Sequence, residues 1–214
     1  MLVGGAGASA CLFSPRITTP SPHLLIKVPD YRRRLPHFHP NHRYLFLTWR
    51  LWHSLPSHLT KPAANLTPGQ SFVTTDRLLD SQTSGPLWLQ DHRIADLVCT
   101  AILHGERSRR FYDLSAWVIM PNHIHLVILP LVPVPVLMRW LKGSTARAAN
   151  QLLGRTGQPF WQDESFDHYL RNLVELEHTI AYVEENPVSA GLVSFSKHWH
   201  WSSAGLQPSE PRTL

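Results

Sequence analysis

Apolar residues in this chain fall into short blocks, divided by stretches rich in proline and glycine, and the spacing inside each block points to an element. Residues 44–51 (YLFLTWRL) are aromatic and β-branched, which predicts a strand. Residues 54–86 are dense in Ser, Thr, Pro and Gly and read as a loop with little regular structure. In residues 88–104 the apolar positions Ile94, Leu97, Val98, Ala101 and Ile102 recur at helical spacing. Two strand-like runs, 111–120 and 123–129, flank the turn dipeptide Pro121-Asn122 and predict an antiparallel hairpin. Residues 136–153 predict a helix with a basic face, weakened by Gly143. Residues 173–185 predict a second, with Leu173, Leu176, Ile180 and Val183 as its apolar stripe. That helix is expected to stop at Asn186-Pro187, because proline disfavours helix in the residue before it. The element order predicts an α+β sandwich, an antiparallel sheet with helices on one face.

Composition sharpens this picture. At 214 residues and 43% hydrophobic, the chain has length and apolar content for one packed domain. The expected division is an extension at 1–29 (flexible, or a start codon set too early), a domain at 30–205 and a tail at 206–214. Lysine and arginine number 20 against 15 acids, giving +5. Distribution says more than the total. Residues 1–62 hold Arg16, Lys27, Arg32, Arg33, Arg34, Arg43, Arg50 and Lys61 against Asp30 alone. No acid occurs from 114 to 162, a segment that carries Arg139, Lys142, Arg147 and Arg155, while acids gather in 163–185. This segregation predicts a face that meets an anion. Cys11 and Cys99 are too few for a disulfide framework or a zinc site, which points to a reducing cytoplasm. The most apolar stretch, 116–141, is interrupted by Pro121, Pro130, Pro133 and Pro135 and two histidines, so a membrane span is not expected.

The candidate chemistry begins with His123 and His125. Alternation along a strand puts both imidazoles on one face, about 7 Å apart along the chain and within reach of one metal. Among fourteen histidines an H-x-H also arises by chance, as a surface or half-buried pair. On the 173–185 helix, Tyr182 falls away from the apolar stripe, and Asn186 lies one turn further along the same face. A hydroxyl nucleophile beside an amide oxygen suits attack on a phosphodiester whose oxygens a metal polarises. The plainer alternatives are a solvated surface tyrosine and an asparagine that caps the helix.

Four segments carry a resemblance. WVIMPNHIHLVILP (117–130), FWQDESFDHYLR (160–171), AYVEENPVSAGLV (181–193) and WSSA (201–204) together resemble the IS200/IS605-like Y1 tyrosine transposases of the HUH superfamily, nearest their REP-associated branch. The resemblance implies a ferredoxin-like (RRM-like) sandwich with a C-terminal catalytic helix. It implies His123, His125 and Asn186 as ligands of Mg²⁺ or Mn²⁺, with Tyr182 as the nucleophile that forms a 5′-phosphotyrosine link with single-stranded or hairpin DNA. It further implies backbone contacts from Arg32, Arg33, Arg34, Arg139, Lys142, Arg147 and Arg155. Trp161, Trp199 and Trp201 are available either to stack on unpaired bases or to fill the core. No nucleotide cofactor is implied, and the protein is expected as a monomer or homodimer. The contrasting expectation is a domesticated or inactive member that binds DNA or RNA hairpins without cutting. Departures from the family pattern fall in residues 1–29 and near 61–86, outside the residues assigned to chemistry.

Overall fold

A computed structural model describes residues 31–32, 36–37, 42–55, 68–81 and 85–205. Two short strands, β1 (Tyr31–Arg32) and β2 (Pro36–His37), pair with each other apart from the main sheet. That sheet is antiparallel and four-stranded, built from β3 (Leu45–Arg50), β4 (Tyr112–Ile119), β5 (His123–Pro130) and β6 (Phe166–Tyr169) in the order β4-β5-β3-β6. The predicted hairpin is β4-β5, paired from Tyr112↔Pro130 to Ile119↔Ile124 with one register shift between Leu114 and Ala116, and closed by Pro121-Asn122. Four helices accompany the sheet: α1 (Pro68–Asp80), α2 (His92–Arg107), α3 (Val134–Leu152) and α4 (Leu173–Ser189).

Alternation in β5 divides the core. Ile124, Leu126 and Ile128 face a large cluster with Ile94, Val98 and Ile102 of α2 and Leu137, Leu141 and Ala149 of α3. Val127 faces the other way, joining Phe46, Val118, Leu176 and Val183 under α4. Helices α2 and α3 therefore cover one face, and α4 covers the opposite one with α1 beside it, so the α+β class is as expected while α1 adds a second helix to the α4 face. Among the described residues no helix is long and apolar enough to cross a membrane.

Two expectations need correction. Residues 68–80 form a helix where a loop was read. Its Thr and Ser content gives little intrinsic propensity, and packing supplies the rest: Phe72 stacks on Phe166 at 4.3 Å, and Leu79 is buried. The second correction concerns α4, which runs through Asn186-Pro187 to Ser189. Proline there forgoes one bond near the helix end, while its buried ring and the terminal bonds Ala190 N–H to Asn186 O and Leu192 N–H to Pro187 O hold the last turn. The stripe also starts later than expected. Leu176, Val183 and Pro187 are buried, but Leu173 is 59% exposed.

The start of α4 is fixed by polar contacts. Asn172 Oδ1 accepts from the Glu175 amide at 2.9 Å, and the Glu175 carboxylate accepts from the Arg171 amide and contacts His168 Nε2 of β6. At the far edge of the sheet, residues 201–203 lie along β4. Ile119 N–H donates to Trp201 O, and Trp117 N–H donates to Ser203 Oγ. The Ser203 hydroxyl in turn donates to Glu184 of α4 at 2.9 Å. The terminal W-S-S thus closes a sheet edge and ties α4 to it.

Candidate active site

The site is assembled where β5, β3, α4 and α1 meet. His123 and His125 project from the same face of β5, toward α4, and both are completely buried. Their Nε2 atoms converge to 3.0 Å. Each ring is held from behind. Asn122 Nδ2 donates to Leu79 O of α1 at 2.9 Å, which leaves Asn122 Oδ1 to accept from His123 Nδ1–H at 2.7 Å. This fixes the tautomer: His123 Nε2 carries the lone pair. Thr48, paired directly with His125 across β3-β5, sets its hydroxyl 2.7 Å from His125 Nδ1. Phe46 stacks on the His125 ring at 5.5 Å. Burial pushes both imidazoles down to about 3, His125's charge adding to the effect on His123, so both are neutral at physiological pH and able to act as ligands.

Tyr182 and Asn186 approach from α4. The Tyr182 ring meets the edges or faces of Phe46, Phe72 and His125, with centroids 6.1, 6.4 and 6.0 Å away. It remains 37% exposed, so its apolar ring is braced while the residue still reaches solvent. Asn186 is buried, and its Oδ1 has no hydrogen-bond partner. A grooved surface passes on both sides of Tyr182, toward Arg171 and His178 in one direction and toward Arg77 and Ser189 in the other.

The fourth element brings residues that the sequence reading missed. Asp76 of α1 is 2% exposed, with Oδ1 lying 3.6 Å from His123 Nε2 and 3.3 Å from His125 Nε2. Its Oδ2 accepts hydrogen bonds from the Tyr182 hydroxyl and from Asn186 Nδ2, the latter at 3.4 Å. Asp80, one turn on, has Oδ1 3.8 Å from His123 Nε2, and burial together with the Asp76 charge raises it to about 7. Burial and the charges of Asp76 and Asp80 push the Tyr182 hydroxyl up. The only signal that marked α1 was the spacing Phe72, Asp76, Leu79, which is helical, inside a segment whose composition read as loop.

The donor set fits a divalent cation. Two neutral imidazole nitrogens and a buried carboxylate oxygen without a partner lie within 4.8 Å of one another, and Asn186, whose Oδ1 also lacks a partner, donates to the same carboxylate at 3.4 Å.

The residues expected to hold DNA are spread differently. Arg32 lies in β1, and Arg33 and Arg34 fall outside the described residues. Arg139 and Arg147 are exposed on α3, which packs on the opposite face of the sheet from the histidines. Lys142 is engaged within the fold, its amine donating to Gln162 O at 2.6 Å and Asp163 O at 2.8 Å. The Arg155 guanidinium lies 3.9 Å over the Trp88 ring. Trp161 requires correction as a base-stacking residue. It is 6% exposed, its indole N–H donates to Thr145 Oγ1 at 2.9 Å, and its ring packs against Trp49 and Phe160. Trp199 and Trp201 likewise serve the fold, donating to Ile119 O and to Asp96.

Paired strand histidines beneath a helix that carries a tyrosine and an asparagine one turn apart agree with the resemblance drawn from the motifs. The family model described as "Transposase IS200 like" matches residues 90–186, a little under half of the chain. It is 29% identical over 106 residues to the REP-associated tyrosine transposase of Escherichia coli (strain K12); the match covers 48% of this chain and 60% of that protein. The fold is similar to that of a REP-associated tyrosine transposase solved bound to a REP hairpin, with a TM-score of 0.51 at 18% identity, over 87% of this chain and 92% of that one.

Proposed function

We propose that this protein cleaves and rejoins single-stranded DNA beside a hairpin, through a covalent bond to Tyr182. The observation that carries this reading is that the buried pair His123 and His125 lies directly beneath Tyr182 and Asn186, two residues of a separate element that line a groove at the surface. His123, His125 and Asn186 hold a Mg²⁺ or Mn²⁺ ion, which supplies Lewis-acid polarisation of the scissile phosphate. Asn122 keeps the His123 Nε2 lone pair aimed inward, and Thr48 fixes the orientation of the His125 ring. Phe46 and Phe72 brace the tyrosine ring, so the hydroxyl oxygen is delivered to phosphorus with little freedom left to lose. The P–O3′ bond breaks as the Tyr182 O–P bond forms, leaving a 5′-phosphotyrosine and a free 3′-OH. A second 3′-OH reverses the step and joins new ends without ATP, because the covalent link conserves the phosphodiester. The hairpin class of substrate rests on the relative that was solved with a REP hairpin.

Tyr169 is the competing nucleophile and provides the control. It lies in β6, thirteen residues earlier, and packs against the core on the α2–α3 side of the sheet. Incubation with a single-stranded hairpin oligonucleotide and Mn²⁺, followed by denaturing electrophoresis, should show a covalent adduct. Tyr182→Phe keeps the ring packing and should give none, whereas Tyr169→Phe should keep most of it. An adduct that survives in Tyr182→Phe and vanishes in Tyr169→Phe would overturn the assignment. Hairpin binding without adduct in the unaltered protein would favour the binding-only reading.

A further inference from the structure

We infer that Asp76 is a further ligand of the metal, and that the same carboxylate, through its second oxygen, sets the Tyr182 hydroxyl beside it. The inference rests on the metal-dependent reading above and adds an element, α1, that the sequence motifs do not contain. Asp76 stands between Phe72 and Leu79 on the inward stripe of α1, a position where an apolar residue belongs. Burying a carboxylate there is costly unless something compensates its charge. Among the described residues no lysine or arginine does so: the ion-pair contacts of Asp76 are to His123 and His125 alone.

The geometry points to a cation. Donor atoms about 2.1 Å from a shared ion, and roughly 90–120° apart around it, lie ~3.0–3.6 Å from one another. Here Nε2 to Nε2 is 3.0 Å, and Asp76 Oδ1 is 3.3 and 3.6 Å from the same two atoms. Asp76 Oδ1 has no hydrogen-bond partner, so the separation is not explained by a bond already made. Charge points the same way. His123, His125 and Asn186 are all neutral and would leave a buried divalent cation at its full charge. Asp76 brings that to one positive charge, and a bound phosphodiester brings it to zero. Meanwhile Oδ2 faces away from the histidines and accepts from Tyr182 and Asn186. One rigid carboxylate thereby fixes the distance between metal and nucleophile. Asn122 holds α1 in register for this, through its bond to Leu79 O.

The test is Mn²⁺ binding to the full chain without DNA, read by the loss of the free-ion electron paramagnetic resonance signal, alongside thermal melts. Asp76→Asn preserves volume and removes the charge. It should weaken Mn²⁺ binding at least tenfold and abolish the rise in Tm that Mn²⁺ gives the unaltered protein. Without metal its Tm should equal or exceed that of the unaltered protein, since a charge beside Asp80 has gone. His123→Ala should lose Mn²⁺ binding as well. If Asp76→Asn binds Mn²⁺ normally while His123→Ala does not, Asp76 is no ligand and the centre stands without it. Normal binding in both variants would instead remove the metal reading itself. A lower metal-free Tm with unchanged Mn²⁺ affinity would make Asp76 structural and overturn the inference. At saturating Mn²⁺, Asp76→Asn should still form adduct more slowly than the unaltered protein, because the hydroxyl has lost its charged anchor; full recovery would refute that half. Should Asp76→Asn fail to fold, Asp76→Glu supplies the comparison: it keeps the charge at a changed reach, so Mn²⁺ affinity within twofold of the unaltered protein would refute ligation.

Discussion

The residue that organises this pocket without entering it is Asn122. Its amide nitrogen is committed to Leu79 O, so its oxygen has one remaining duty, which is to hold the proton on His123 Nδ1. This gives a physical reason for asparagine in the M-P-N-H-x-H run, where aspartate would lack the donor for α1 and leucine would lack both groups. Asn122→Ala removes the tautomer lock and frees α1 at once. Metal affinity, measured by Mn²⁺ titration, should fall about 10- to 100-fold, the range for losing a partner that orients a ligand. Asn122→Asp should restore less than half of the lost binding free energy, because the contact to Leu79 O turns repulsive.

At the scale of elements, α4 is positioned from both ends, by Asn172 and Glu175 at its start and by Ser203 through Glu184 near its finish. Ser203 is 4% exposed and serves as the partner of the Trp117 amide. Ser203→Ala should therefore cost about 1–3 kcal/mol for the unsatisfied amide. For a chain of this size that lowers Tm by roughly 2–10 °C, which calorimetry would register. Strands and helices with a strong apolar period were legible in the sequence: β3, the β4-β5 hairpin, α2 and α3 all lie where periodicity put them. Helix α1 was not, because its inward face is only Phe72, Asp76 and Leu79, and one of those three is charged. A stripe that contains a buried acid looks polar to any reading of hydrophobic spacing. The same blindness hid Asp76, while His123, His125, Tyr182 and Asn186, which motif and period single out, are brought together by the fold. The tryptophans failed in the opposite sense. Nothing in a sequence distinguishes an indole whose N–H meets Thr145 or Asp96 inside the fold from one left free for a base.

Taken as a whole, the molecule divides its charges from its pocket. Arg139 and Arg147 stand on α3, across the sheet from the histidines, while among the described residues Arg77 and Arg171 line the grooves beside Tyr182. Under the proposed function, the α3 arginines grip the hairpin's body while the pocket receives the scissile strand. Replacing Arg139 or Arg147 with glutamine should each lower the slope of log affinity against log salt by about one, if each meets one phosphate. Single-turnover adduct formation at saturating DNA should stay unchanged, and a loss there would place these arginines at the pocket after all.

The sheet that lies between them is four strands of packed side chains, with Ile124, Leu126 and Ile128 turned to one side and His123 and His125 to the other. It works as a partition wall. Under the proposed function, exchanging exposed residues on the α3 side would change how DNA is gripped without moving an atom beneath Tyr182.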